Sequence, residues 1–312
     1  MGYGFGVDIG GTTVKLAFFS EAGELLDKWE IPTRTQEEGR HILPDIAASI
    51  QAYLAQKQLS LADICGIGMG VPGAVTPAGL VNKCINLGWG VTDARGRLEA
   101  LTGLPVKVGN DATLAALGEC WKGGGAGCDT MALITLGTGV GGGLVVNGRV
   151  LPGAHGAGGE IGHIVLCPEE TQPCNCGNYG CAEQYCSATG IVRLAKKALA
   201  TGKASALAGK DFTCKDIFQC AAQGDELSRQ VLEQAYDYLA RLTAAVCNVA
   251  DPQAVVFGGG VSRAGAPLLE GVARYLPKYI FHAASAVELR LATLCNDAGI
   301  YGAFRLIAQN IR

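Results

Sequence analysis

Asp8-Ile9-Gly10-Gly11-Thr12-Thr13-Val14-Lys15 sets a turn of glycine and threonine between two apolar runs, residues 3–9 and 14–19. Gly137-Thr138-Gly139-Val140-Gly141-Gly142-Gly143 does the same between residues 131–136 and 144–146. A strand–turn–strand unit that returns after about half the chain reads as the duplication of one α/β unit, not as a short-period array. The predicted fold class is therefore α/β, with two duplicated lobes and a cleft between them of the kind that commonly holds ligands.

The surrounding sequence extends this pattern. Residues 25–31 add a third strand, giving an antiparallel meander. Ile42, Ile46 and Ile50, with Tyr53 or Leu54, recur at helical spacing, so residues 41–56 are predicted helical. A strand over 64–71 runs into Pro72-Gly73. Another over 106–108 leads into Asn110-Asp111 and a helix over 112–121. Residues 123–127 form a glycine-rich loop tip, and Asn147-Gly148 is a hairpin signal. Further on come a long amphipathic helix over 225–249, a strand over 254–257 followed by Gly258-Gly259-Gly260, and a last helix over 298–311. The boundaries drawn from this are 1–115 plus about 298–312 for a small lobe, and 116–297 for a larger one.

Composition narrows the function classes. Hydrophobic types make up 49% of the 312 residues and charged types 17%, which excludes a disordered chain. The net charge is −3, and no basic run offers an electrostatic footprint for nucleic acid. No apolar stretch is long enough for a membrane span, and the MGYGFG start lacks the regions of a signal peptide. Thirteen cysteines, an odd number, read as reduced thiols, so a cytoplasmic protein is expected. Glycine is the outlier, at 46 residues. Backbone that must approach something closely is the first physical suggestion.

Three constellations carry chemistry. In the two glycine turns, bare amide groups, threonine hydroxyls and Lys15 could face a polyanion, and Asp8 could hold Mg²⁺. Either turn alone would read equally well as a plain hairpin. Neither is a P-loop, and neither opens a helix as a dinucleotide fingerprint does. His163, Cys174, Cys176 and Cys181 form a Cys₃His set for tetrahedral, structural Zn²⁺. Asn110-Asp111 sits where a strand gives way to a helix, so it is either an N-cap or a general base at a strand end. Glu160 and Glu183 bracket the cysteine loop, and carboxylates on a rigid frame suit the hydroxyls of a sugar.

Taken together, these residues resemble the ROK family of the actin/hexokinase-like fold group. The resemblance rests on Asp8 through Lys15, Gly70-Val71-Pro72-Gly73, Asn110-Asp111-Ala112, Gly137 through Gly141, Glu160-Ile161-Gly162-His163, Cys174 through Glu183, and Gly258 through Ser262. Within the family, the cysteine segment and Ile85-Asn86-Leu87-Gly88-Trp89 look most like the bacterial ATP-dependent glucokinases.

The resemblance implies a hexose kinase using ATP, Mg²⁺ and structural Zn²⁺, with D-glucose as the first substrate. Asp111 would take the proton of the sugar 6-hydroxyl. Asn110, Glu160, His163, Glu183 and backbone near Gly73 would hold the other hydroxyls. Asp8, Gly10, Gly11, Thr12, Thr13 and Lys15 would serve the phosphates and Mg²⁺, joined by Thr138 between Gly137 and Gly139. Gly259 and Gly260 would lie beside the adenosine. A homodimer is implied by the family alone.

Thr113 departs from the asparagine common at that place, and Ala74 lacks the arginine of some acetamido-sugar kinases. Rivals are a kinase for fructose, mannose, N-acetylmannosamine or N-acetylglucosamine, an ATPase without a sugar acceptor, and a sugar-sensing regulator. The regulator is disfavoured because Asp8 lies too near the start for a DNA-binding module to precede it.

Overall fold

A computed structural model of the chain describes residues 2–76 and 78–309. In chain order the strands are β1 (Tyr3–Ile9), β2 (Thr13–Phe19), β3 (Leu25–Pro32), β4 (Ile64–Val71), β5 (Leu80–Val81), β6 (Thr92–Asp93), β7 (Val106–Asn110), β8 (Met131–Leu136), β9 (Val140–Val146), β10 (Arg149–Val150), β11 (Ala254–Gly258) and β12 (Glu288–Leu291). The helices are α1 (Ile42–Lys57), α2 (Ala94–Thr102), α3 (Asp111–Lys122), α4 (Glu183–Cys186), α5 (Ala188–Leu199), α6 (Cys214–Ala222), α7 (Glu226–Ala250), α8 (Gly259–Ser262), α9 (Ala266–Tyr275) and α10 (Ala298–Ala308).

Two five-stranded sheets are ordered β3-β2-β1-β4-β7 and β10-β9-β8-β11-β12. In the first, β1 pairs antiparallel with β2 and parallel with β4, and β4 runs parallel to β7. In the second, β11 runs parallel to both β8 and β12, and β10 antiparallel to β9. By compactness the chain divides into one unit of Met1–Gly127, Gly143–Gly159 and Asn296–Arg312, and another of Cys128–Gly142 and Glu160–Cys295. The boundary passes through β9.

In the first unit, strand periodicity assigns the two faces of the sheet to different helices. Phe5, Val7 and Ile9 of β1 and Ile67, Met69 and Val71 of β4 share a core with Ile42, Ile46 and Ile50 of α1. Apart from Asp8, the alternate positions are glycines (Gly4, Gly6, Gly66, Gly68 and Gly70), and onto that bare face lies α10. A Cβ at Gly68 would collide with the Ala303 carbonyl, and one at Gly302 with that of Leu114 on α3. Ile300, Phe304 and Ile307 close this second core with Ala17 and Phe19. Part of the glycine surplus therefore admits a helix, not a ligand. In the second unit, Leu133, Ile134, Val255 and Phe257 are buried in the strands, and Leu239, Leu242 and Val246 in α7.

Several expectations need adjusting. The second glycine run is not all turn: β9 begins at Val140, so Gly141, Gly142 and Gly143 are strand residues. Gly143 is bare because a Cβ there would meet Ala112 and Ala116 of α3. Gly258 ends β11, and Gly259 and Gly260 open the short α8. Helices α2, α5, α6 and α9 lie in stretches to which the sequence pattern assigns nothing. The last helix is described to Ala308, and its expected end at Ile311 lies outside the described residues. No described helix is long and apolar enough to cross a membrane.

Candidate active site

The turn after β1 is tied down by its own chain. The Gly10 N–H donates to the Thr13 carbonyl (2.9 Å), the Thr33 N–H to that of Thr12 (2.9 Å), and the Thr33 hydroxyl to that of Gly10 (2.7 Å). These carbonyls are thereby turned inward. Gly11 has no left-handed backbone and nothing within 4 Å of where a Cβ would stand. Neither the turn nor the packing requires glycine there.

Asp8 stands directly across the β1–β2 ladder from Lys15, whose Nζ donates to the Asn296 carbonyl (2.8 Å). Burial, reinforced by the charge of Asp111 and offset in part by Lys15, pushes the Asp8 carboxyl up to about 6.

Of the pair Asn110-Asp111, it is Asn110 whose side chain caps the helix, as the N-cap of α3. Its Oδ1 accepts from the Thr113 N–H (3.0 Å) and hydroxyl (3.1 Å), which orients the amide. Its Nδ2 then donates to the Gly73 carbonyl (3.1 Å) and to Asp111 Oδ1 (3.0 Å). The Ala112 N–H reaches the same Asp111 oxygen at 2.8 Å. Asp111 is thus anchored through one oxygen at the C-terminal end of β7. Gly73 has φ +117°, a conformation that favours glycine.

In the second unit the Gly137–Gly139 turn repeats the first turn's bonding with different partners. The Gly137 carbonyl accepts from the Ala188 N–H (2.8 Å), that of Thr138 from the Thr189 hydroxyl (2.6 Å), and that of Gly139 from the Gly137 N–H (3.0 Å). Gly137, like Gly11, has open space where a Cβ would stand.

Glu183 lies against this turn. The Val140 N–H donates to its Oε2 (3.1 Å) and the Cys174 thiol to its Oε1 (3.6 Å). A Cβ at Gly139 would strike the same carboxylate. Beside Thr138 opens a cavity of about 740 Å³ lined by Thr189, Val192, Arg193, Lys196 and Cys214 among others.

His163, Cys174, Cys176 and Cys181 present ligand atoms all within 4.8 Å of one another. Cys174 Sγ is 3.9 Å from His163 Nδ1, and Cys176 Sγ is 3.7 Å from Cys181 Sγ. A zinc–sulfur bond of about 2.3 Å sets tetrahedral edges near this length, so the set fits Zn²⁺. Burial and the neighbouring thiols push Cys181 up to about 12, a crowding that a bound cation would relieve. With Nδ1 turned to the sulfurs, His163 Nε2 lies 3.9 Å from the Glu160 carboxylate.

The ROK family model matches residues 4–310. The chain belongs to the ROK family. A glucokinase of Halalkalibacterium halodurans is 45% identical over 97% of this chain and 94% of that protein. An N-acetylmannosamine kinase of Escherichia fergusonii is 35% identical over 97% of each chain. Among solved structures, a ROK family glucokinase from Streptomyces griseus in complex with glucose and AMPPNP superposes with a TM-score of 0.72 at 31% identity. It covers 99% of this chain and 100% of that one. A ROK family transcriptional regulator, a homologue of E. coli MLC, gives 0.85 at 28% identity, over 98% of this chain and 78% of that chain.

In this ROK chain, Asp8, Gly10, Gly11, Thr12, Thr13, Lys15, Gly73, Asn110 and Asp111 fall in the first unit. Gly137, Thr138, Gly139, Glu160, His163, Cys174, Cys176, Cys181, Glu183, Gly259 and Gly260 fall in the second. Sequence reasoning passed over Thr33 and Thr189, which anchor the two turns, and Asn296, which holds Lys15. Nothing local marks Thr33 or Asn296, whose partners lie 23 and 281 residues away.

Proposed function

We propose that this protein phosphorylates a hexose with ATP, D-glucose first, and that Asp111 is the general base. A sugar kinase follows from the ROK membership together with the glucokinase similarity over nearly the whole chain. The observation that carries the role of Asp111 is its anchorage: two donors fix one oxygen, while Asn110 supplies the helix cap.

Phosphoryl transfer depends chiefly on positioning and on neutralising charge. Asp111 accepts the proton of the sugar 6-hydroxyl as that oxygen attacks the γ-phosphorus. Asn110, Glu160, His163, Glu183 and the backbone at Gly73 orient the remaining hydroxyls.

The donor's phosphates meet amide groups of Gly10–Thr13 and of Gly137–Gly139, with Lys15 and the hydroxyls of Thr12, Thr13 and Thr138. Support comes from Gly11 and Gly137, where glycine is used although the fold has room for a side chain. Asp8 suits Mg²⁺, because its carboxylate and that of Asp111 repel each other with one lysine to offset them. When bound, Mg²⁺ supplies charge neutralisation on the transferring group. The adenosine lies by Gly259 and Gly260, with the cavity beside Thr138 of a size for a nucleoside.

The Cys₃His set holds Zn²⁺ as a closed structural site that fixes the loop carrying Glu183. Following the family resemblance, the chain works as a cytoplasmic homodimer.

General-base catalysis contributes about 10²–10⁴-fold. Asp111→Asn is expected to lose that much kcat in an ADP-release assay, with glucose affinity by calorimetry within a few-fold of wild type. Undiminished turnover would remove Asp111 from the mechanism.

A further inference from the structure

Asp8 is the carboxylate given to Mg²⁺ above, yet among the described residues no hydrogen-bond donor holds it in place. Its position is set by shape. A Cβ on Gly70 of β4 would stand 3.3 Å from Asp8 Oδ1, tighter than ordinary contact. One on Gly299, in the first turn of α10, would stand 2.6 Å from Oδ2, 2.7 Å from Cγ and 3.1 Å from Oδ1. These carboxylate atoms are the three nearest to that point. The side chain therefore sits in a slot that two missing methyl groups leave open.

The three atoms nearest to a Cβ at Gly299 all belong to Asp8. Gly299 lies in the first turn of α10 with no left-handed φ, so its backbone conformation does not call for glycine. Gly302, one turn on, differs: its Cβ would meet the backbone of α3. The short turn that leads into α10 also reaches the other charge of the pair, since the Asn296 carbonyl receives Lys15 Nζ at 2.8 Å.

We infer that Gly299 is a positioning residue: the N-terminal turn of the last helix seats Asp8 for the metal–nucleotide complex by leaving space for its carboxylate. A methyl group at 299 must rotate Asp8 off its seat, because the α10 backbone is held away from Asp8 by close approaches to β4 at Gly68 and to α3 at Gly118 and Leu114. The inference rests on the role assigned to Asp8, and its test separates the two.

The experiment compares Gly299→Ala, Asp8→Ala and the double variant with wild type. Misplacing a reacting group by about 1 Å can cost 10²-fold, so Gly299→Ala is expected to lower kcat 10- to 100-fold. Its thermal midpoint should be equal or higher, and its glucose affinity by calorimetry unchanged. In thermal shift with ADP, it should keep the stabilisation by nucleotide alone and lose the increment that Mg²⁺ adds. In the Asp8→Ala background the same substitution should cost no further activity, since the carboxylate it displaces is gone. Full activity or an intact Mg²⁺ increment in Gly299→Ala, or additive losses in the double variant, would overturn the inference. Wild-type activity in Asp8→Ala would instead overturn the role of Asp8 itself.

Discussion

The two glycine turns have the same bonding plan and different anchors. In each, three carbonyls are drawn inward by donors from the same chain, and one glycine faces open space. The first turn is held by Thr33 of β3 and flanked by Asp8 and Lys15, so its support is a sheet. The second is held by Ala188 and Thr189 at the start of α5 and by Glu183, which Cys174 joins to the Cys₃His cluster. The two turns share a bonding plan, while the second also lies against a carboxylate that a cluster thiol contacts. The first turn has a lysine and a carboxylate beside it, the second a carboxylate and the Cys/His cluster.

That contrast can be broken most severely at the cluster. Cys176→Ser, or verified removal of metal, is expected to loosen the loop from His163 to Glu183. Glucose affinity by calorimetry should fall more than 10-fold and ADP affinity by less than 3-fold. Equal losses for both ligands would detach the cluster from the sugar half of the site.

Next comes Asp8. Its folded value of about 6 lies above the ordinary 3.8, so its ionised form costs stability above about pH 6, and that cost is relieved as pH falls towards 4. Asp8→Asn is expected to raise stability at pH 7.5 by up to about 3 kcal/mol in denaturant titration. The gain should vanish near pH 4, and kcat should drop. A variant that is both less stable and less active would contradict this.

The second unit offers the opposite sign. Burial would raise the Glu170 carboxyl, but the Gln172 N–H, Tyr185, Arg193 and Lys197 outweigh it and hold it at about 2. The stability it brings is present above pH 4.5 and lost as pH falls towards 2. Glu170→Gln should lose about 2 kcal/mol at pH 7 and flatten the slope between pH 4.5 and 2.

The smallest effect is expected at Thr33→Val. One hydroxyl bond to the Gly10 carbonyl is worth about 1 kcal/mol, and the KM for ATP should rise a few-fold with that for glucose unmoved.

Periodicity and turn chemistry made the meander, α1, β4, α3 and α7 legible, because each writes its pattern within a few residues. The Cys₃His cluster was legible because its four members fall within 19 residues of chain. The partners of the turns were not, since Thr33, Thr189 and Asn296 act across the fold and look like any surface threonine or asparagine. Glycine was the ambiguous sign. At Gly11 and Gly137 it leaves open space, at Gly68 and Gly302 it admits a helix, and the sequence alone does not separate the two uses. At Asn110-Asp111 the sequence offered cap or base, and the hydrogen bonds give the cap to Asn110.

Release of ADP from ATP by the purified chain, across a panel of hexoses and acetamido-hexoses and with no sugar at all, tests the account most directly. The expected result is turnover that requires a sugar, is fastest with glucose and yields its 6-phosphate. ADP released equally fast without any sugar would contradict it.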